Sequence, residues 1–114
     1  MEETLFDRII AGEIPADIVF ENDHALAFRD INPQAPVHVL VVPRTRMRSI
    51  AEAPEQDPRE LGCFVQAIAE TAKALGLEEG GYRVVFNTGK DALQTVPYIH
   101  AHILGGRRLS WPPG

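Results

Sequence analysis

Only one stretch of this 114-residue chain sustains helical apolar spacing over several turns, and it is the strongest constraint on the fold. In residues 59–76, Leu61, Val65, Ile68, Ala72 and Leu75 recur as one stripe, while Cys63, Ala67 and Ala74 add a flank of small residues. Pro58 suits the first turn of such a helix, and Gly76 with the Gly80-Gly81 pair suits its end. The other apolar runs are short and bounded by Gly, Pro, Asn or Asp. Residues 4–11 read as a short N-terminal helix closed by Gly12, and one helical turn is expected near Ser49. Residues 18–21, 25–30, 37–42, 82–87 and 99–104 read as strands. The third of these, Val-His-Val-Leu-Val-Val, is nearly all apolar and suits the centre of a sheet. Strands on both sides of one long helix, without regular alternation, predict an α+β fold with a mainly antiparallel five-stranded sheet. The helix's second flank fits either a wide stripe in one core or contact with a second subunit.

Residues 1–114 suit a single domain, which at this size buries roughly two-thirds of its unfolded surface and folds without disulfides or metals. The net charge of −5, with both signs interspersed, argues against a general binder of nucleic acid or anionic membrane. Cys63 is the only cysteine, so neither an intramolecular disulfide nor a cysteine-based zinc site is possible. The acidic start argues against a signal peptide, and no run approaches the roughly 18 apolar residues of a membrane span. The expected location is cytoplasmic.

The chemistry concentrates in Gln94-Thr95-Val96-Pro97-Tyr98-Ile99-His100-Ala101-His102-Ile103-Leu104-Gly105-Gly106-Arg107. Residues two apart on a strand share a face, so Tyr98, His100 and His102 are expected to look into a site while Ile99, Ala101 and Ile103 pack under the long helix. A neutral imidazole is a good nucleophile toward phosphorus, and a second one alongside can hydrogen-bond phosphate oxygens or protonate a leaving amine. Thr95 and the backbone N–H groups of the preceding loop can hold the phosphate. A His-x-His strand alone is equally compatible with surface histidines or with a metal, and two histidines so spaced can chelate one zinc with His38 as a third ligand. His24, in the turn after Glu21-Asn22-Asp23, reads as solvated.

This segment resembles the signature of the histidine triad superfamily, in which three histidines alternate with apolar residues, and in particular its Hint branch of nucleotide-binding phosphoramidases. The similarity extends through Phe6-Asp7-Arg8-Ile9-Ile10, Glu13-Ile14-Pro15-Ala16 and Ala27-Phe28-Arg29-Asp30-Ile31-Asn32-Pro33-Gln34-Ala35-Pro36. It continues through Val37-His38-Val39-Leu40-Val41-Val42-Pro43, Asn87-Thr88-Gly89, Leu104-Gly105-Gly106-Arg107 and Trp111-Pro112-Pro113-Gly114.

The resemblance implies a homodimer that hydrolyses nucleoside phosphoramidates or acyl adenylates through a covalent nucleotidyl-histidine, with purine nucleotides preferred and neither cofactor nor metal. It gives His100 the place of the nucleophile, His102 that of the phosphate contact and His38 that of a supporting group. Asp30 takes the place of the ribose-binding carboxylate and Asn87 that of a hydrogen-bonding group near the phosphate, with Leu93, Gln94 and Thr95 in the surrounding loop. Leu5, Phe6, Ile9, Ile14, Phe28, Ile31 and Leu40 would form the slot for the base, the plainer reading of these seven being core. Trp111 belongs to a tail that lies near the partner's site in that branch. Two departures stand out: Tyr98 replaces the first triad histidine, and Lys90-Asp91-Ala92-Leu93 lacks the paired glycines common there. Two alternatives follow, a non-catalytic nucleotide- or partner-binding module and a zinc-binding protein using His38, His100 and His102.

Overall fold

Thr4 begins the first element of the structure, a computed structural model that describes residues 2–114. Its N–H donates to Asp7 Oδ2 at 2.7 Å and the Asp7 N–H donates to Thr4 Oγ1 at 3.3 Å, a reciprocal capping box. Helix α1 follows as Leu5–Ile10. Arg46 Nη2 donates to the same Asp7 carboxylate at 2.9 Å and ties α1 to the segment after the third strand. Burial opposes ionisation of Asp7, but the Thr4 hydrogen bonds and the Arg46 charge outweigh it and hold the carboxyl below its usual range.

Five strands follow: β1 (Ile18–Glu21), β2 (Ala25–Arg29), β3 (Val37–Pro43), β4 (Tyr82–Phe86) and β5 (Ala101–Gly105). They form one sheet in the order β1-β2-β3-β5-β4, every neighbouring pair antiparallel, so β3 is central as its composition predicts. A 3-10 turn, Ile50–Glu55, capped by Ser49, leads to α2 (Pro58–Ala74). Asp57 caps α2 through the Arg59 N–H, and Pro58 occupies the first turn. At the far end Gly76 turns left-handed (φ 73°), and the N–H groups of Gly76 and Leu77 reach the carbonyls of Lys73 and Ala72. That is a Schellman stop.

The inner face of α2 differs from the predicted stripe. Phe64, Ala67, Ile68, Thr71 and Ala72 are buried with Leu61 and Leu75 beside them, while Val65 is 59% exposed. The rows 61-64-68-71-75 and 61-65-68-72-75 fit the helical period equally well, and the sheet meets the side of α2 that carries Phe64 and Thr71. Thr71 enters the core because its hydroxyl donates to the Ala67 carbonyl at 2.7 Å. Ala67 is core, not part of an outer flank.

Alternation along the strands sorts the sheet into two faces. Ala25, Ala27, Val39, Val41, Ala101 and Ile103 pack against α2, with Met47, Leu77 and Ile99 around them. Gly105 belongs to this face because Leu77 lies where its Cβ would stand, at 2.9 Å. The opposite face carries Leu26, Phe28, Leu40, Val42, His38 and His102, and is covered by α1, through Phe6 and Ile9, with Tyr98, Val96, Ile14 and Ala16 around them. No helix among the described residues is long and apolar enough to cross a membrane.

Two strand ends differ from expectation. Asp30 lies beyond β2, its side chain turned to accept the Asn32 N–H at 2.8 Å. Residues 98–100 precede β5 because their polar groups pair elsewhere: the Ile99 N–H with the Met47 carbonyl, and the Tyr98 carbonyl with the His100 ring.

Candidate active site

Three histidines meet on the face that α1 leaves partly open. His38 comes from β3 and His102 from β5; the register sets His102 opposite Leu40, making His38 its diagonal neighbour. His100 sits at the entry to β5, under the edge of the Phe6 ring with centroids 4.9 Å apart. The His100 and His102 rings are 5.0 Å apart.

Hydrogen bonds fix the tautomers. The Gln34 N–H donates to His38 Nδ1 at 3.0 Å, so that nitrogen is bare and the ring proton sits on Nε2. His38 Nε2 stands 2.9 Å from His102 Nδ1, which must accept, placing the proton of His102 on its Nε2. That Nε2–H is buried and makes no hydrogen bond with any described residue. An unpaired buried donor is costly, and its retention is what a site for an anionic oxygen requires. His100 is arranged the opposite way. Its Nδ1 lies 2.7 Å from the Tyr98 carbonyl, which can only accept, so Nδ1 carries the proton and Nε2 keeps a free lone pair.

All three rings are held neutral at pH 7. Burial lowers the His100 pKa below its usual value, against the opposing pull of the Tyr98 carbonyl and Asp30. Burial likewise lowers that of His38, with Asp30 opposing. His102 is pushed down to about 4, first by burial and then by the neighbouring His100 and His38.

Asp30 joins the cluster from the end of β2, its Oδ2 3.5 Å from His38 Nε2. It also walls a groove of about 500 Å³ lined by Leu5, Phe6, Ile9, Ile14, Phe28, Ile31 and Leu40. All seven residues expected to form a slot therefore do so. Several belong equally to the small core under α1, so the slot is that core's open edge. Pro15, Ala16, Asp17 and Arg29 complete the wall and were missed individually, although Pro15-Ala16 lies in one of the resembling segments.

Other expected site residues are placed differently. Tyr98 shares the face of His100 but is 1% exposed, packed against Phe6, and its hydroxyl donates to the Pro43 carbonyl. Burial pushes its pKa up to about 12. The expectation that Tyr98 looks into the site is thus corrected: α1 covers it. Gln94 spends its side chain inside its own loop, accepting from the Gly89 N–H and donating to the carbonyls of Arg48 and Val96. Leu93 projects from the loop, 79% exposed with φ 62°. Thr95 lines a second groove of about 720 Å³ with Glu2, Glu3 and Arg48, on the other side of Leu5 from the slot. Asn87, half-buried, follows the end of β4. Trp111 is 78% exposed beside Arg83 of β4, outside the slot of its own chain. His24 is partly exposed, with its ring 3.8 Å from Glu60.

A metal fits poorly. Among the described residues the cluster with ligand atoms within 4.8 Å of one another is Asp30, His38 and His102, so the zinc set of His38, His100 and His102 is not formed. Ligands of a tetrahedral zinc stand roughly 3.3 Å apart on bare nitrogens, given bonds of about 2.0–2.1 Å. The 2.9 Å contact between His38 and His102 instead encloses a proton, and the other His38 nitrogen already accepts from Gln34.

Comparisons with known proteins point to one family. A family model described as the HIT domain matches residues 11–109. The chain is 48% identical over 113 residues to the 14 kDa zinc-binding protein of Zea mays, covering 97% of this chain and 88% of that one. It is 46% identical over 113 residues to the adenylylsulfatase HINT1 of Arabidopsis thaliana, covering 97% and 76%. A HIT family hydrolase from Legionella pneumophila superposes with a TM-score of 0.92 at 46% identity, covering 98% of this chain and 100% of that one. The histidine triad nucleotide-binding protein from Candida albicans superposes at 0.80 with 28% identity, covering 98% and 85%. The chain belongs to the histidine triad (HIT) family.

Proposed function

We propose that this chain is a nucleotide hydrolase that cleaves nucleoside 5′-phosphoramidates or acyl adenylates through a nucleotide bound covalently to His100. The observation that carries this reading is the pairing of opposite tautomers: a bare Nε2 on His100 beside an unpaired Nε2–H on His102. Relatives named as a hydrolase, an adenylylsulfatase and a nucleotide-binding protein support it.

The base enters the apolar slot, and Asp30, a bidentate acceptor, takes the ribose diol. His100 Nε2 attacks the α-phosphorus, forming a P–N bond as the bond to the leaving group breaks. His102 Nε2–H donates to a phosphoryl oxygen as charge develops there. An amine leaving group takes a proton from solvent as it departs, because neutral His102 holds only the one N–H that it donates to the phosphoryl oxygen. Water then attacks the same phosphorus and gives its proton to solvent, releasing the nucleoside monophosphate and returning the electron pair to His100. No cofactor enters this scheme. Tyr98 takes no part, because its proton is committed to the Pro43 carbonyl.

The enzyme acts as a homodimer in this reading. β4 is an edge strand exposing Tyr82 and Val84, Val65 projects from α2, and Arg83 of β4 holds Ser110 and Trp111 of the tail.

Adenosine 5′-phosphoramidate is the probe. Rapid quenching is expected to trap AMP on His100, located by peptide mass spectrometry, with turnover unchanged by EDTA. AMP binding without turnover would leave a nucleotide-binding module instead. Stoichiometric zinc whose removal abolishes turnover would favour a metal at Asp30, His38 and His102, the chemistry in the maize relative's name.

A further inference from the structure

The proton arrangement of the three histidines depends on one backbone N–H, and that group sits in a loop of irregular structure. Gln34 lies in the five-residue run Asp30-Ile31-Asn32-Pro33-Gln34, exposed to solvent at its far end. A loop so placed would ordinarily hold an N–H loosely. Here it is tied at successive points. Asp30 Oδ1 accepts from the Asn32 N–H at 2.8 Å, the Asn32 carbonyl accepts from Gln34 Nε2 at 2.9 Å, and Gln34 N–H reaches His38. The remaining tie comes from far along the chain. Arg107 Nη2 donates to the Gln34 carbonyl at 3.1 Å, while its Nη1 donates to the Arg108 carbonyl at 3.0 Å.

The exit of β5 is shaped for this contact. Gly106 adopts φ 87°, and a Cβ there would stand 2.9 Å from Pro36 Cβ. Only glycine combines that backbone turn with so close an approach to the loop. The guanidinium that follows is thereby delivered to the loop's main chain.

We propose that Arg107 is a positioning residue: by clamping the main chain of Gln34 it fixes which nitrogen of His38 bears the proton, and hence which nitrogen of His102 bears its proton. The path runs from Arg107 to the Gln34 carbonyl, from the Gln34 N–H to His38 Nδ1, and from His38 Nε2–H to His102 Nδ1. Without the clamp the Gln34 N–H withdraws, and His38 Nδ1 becomes free to take a proton. His38 then populates the other tautomer, in which Nε2 must accept, and the donor on His102 moves from Nε2 to Nδ1. The titratable groups around His38 are Asp30 at the end of β2 and, from β5, His102 with His100 beyond it. Burial lowers the His38 pKa and Asp30 raises it; the Gln34 N–H, by occupying Nδ1, acts in the same direction as burial.

This proposal rests on the catalytic reading above only for its effect on rate; its effect on the ring does not. The test is imidazole ¹⁵N NMR on the full chain, in the wild type and in Arg107→Met, Arg107→Lys and Arg108→Met. Arg108 is the charge control, because its side chain makes no hydrogen bond or ion pair among the described residues. The wild type and Arg108→Met are expected to show His38 as a single Nε2–H tautomer. Arg107→Met is expected to show mixed tautomers and a His38 titration moved upward, with Arg107→Lys between them. On a phosphoramidate probe, kcat in Arg107→Met should fall roughly tenfold or more, as for other outer partners of functional histidines, with KM changing less than twofold. Its acid limb should shift toward neutral pH. A His38 tautomer and titration unchanged in Arg107→Met would overturn the proposal, whatever the rate does. The same NMR change in Arg108→Met would also overturn it, by showing that charge and not the clamp is responsible. If the ring responds as expected in a protein without turnover, the catalytic reading fails and the clamp stands.

Discussion

The two faces of the sheet are built from the same strands and have opposite characters. Beneath α2, 17 residues of helix close the face, and Val39, Val41, Ala101 and Ile103 are fully buried. On the other side α1 has 6 residues, enough to cover Tyr98, Val42 and Leu26 while His102 stays partly exposed. A covered face tolerates only groups whose polar atoms are satisfied, as Thr71 shows. A half-covered face can hold a donor that is shielded from water and left without a partner among the described residues, as His102 shows. Phe6 of the short helix packs on both Tyr98 and His100, two residues apart, so they differ in their polar atoms: the Tyr98 hydroxyl is spent on the Pro43 carbonyl and His100 Nε2 keeps its lone pair.

A crossed pair of substitutions breaks this comparison most directly. His100→Ala is expected to lower turnover at least about 10⁴-fold, roughly 5 kcal/mol of transition-state stabilisation, while thermal unfolding shifts little. Phe64→Ala, on the closed face, is expected to cost about 3–5 kcal/mol of stability with turnover per folded molecule unchanged. Equal loss of stability in the two variants would mean that the faces are not energetically distinct. In the wild type, burial holds His100 neutral to lower pH than a free histidine, so the acid limb of the rate should have its midpoint below 6.5, the ordinary histidine value. A midpoint above 6.5 would contradict the neutral, desolvated ring.

Asp30→Asn probes the open edge alone. Losing one charge-assisted hydrogen bond costs about 1.5–3 kcal/mol, so AMP affinity measured by calorimetry should fall roughly tenfold or more. Unchanged affinity would remove Asp30 from the binding surface.

The smallest effect is expected at Tyr98. Tyr98→Phe leaves the Pro43 carbonyl without its donor and should cost about 1–2 kcal/mol of stability. Because that hydroxyl faces away from the histidines, the pH–rate profile should keep its wild-type shape. A displaced acid limb would return Tyr98 to the site.

Much of the molecule is legible in the chain itself. Central β3 follows from its unbroken apolar run, and the end of α2 from Gly76, since these depend on local propensity and two-residue or 3.6-residue periods. The seven slot residues and the family also follow from sequence, through the resembling segments. What could not be read locally came from contacts across the chain. Val65 fits an apolar stripe on paper, and its exposure follows from which side of α2 meets the sheet. Gln94 belongs to the expected phosphate loop, yet its amide is consumed by Arg48 and Val96.

Sequence by itself determined the elements, the antiparallel class and the placing of His38 on β3 and of His102 on β5 with His100 at its entry, because alternation and turn chemistry are local. Tertiary structure alone decided what each histidine can do. A tautomer is set by the partner of the opposite ring nitrogen, and those partners are the Gln34 N–H for His38 and the Tyr98 carbonyl for His100. His38 and His102 are 64 residues apart in the chain, and only the β3–β5 register brings their rings to 2.9 Å. Burial then removes the water that would otherwise let every ring exchange protons freely, so hydrogen-bond geometry, and not residue type, assigns the donor and the lone pair.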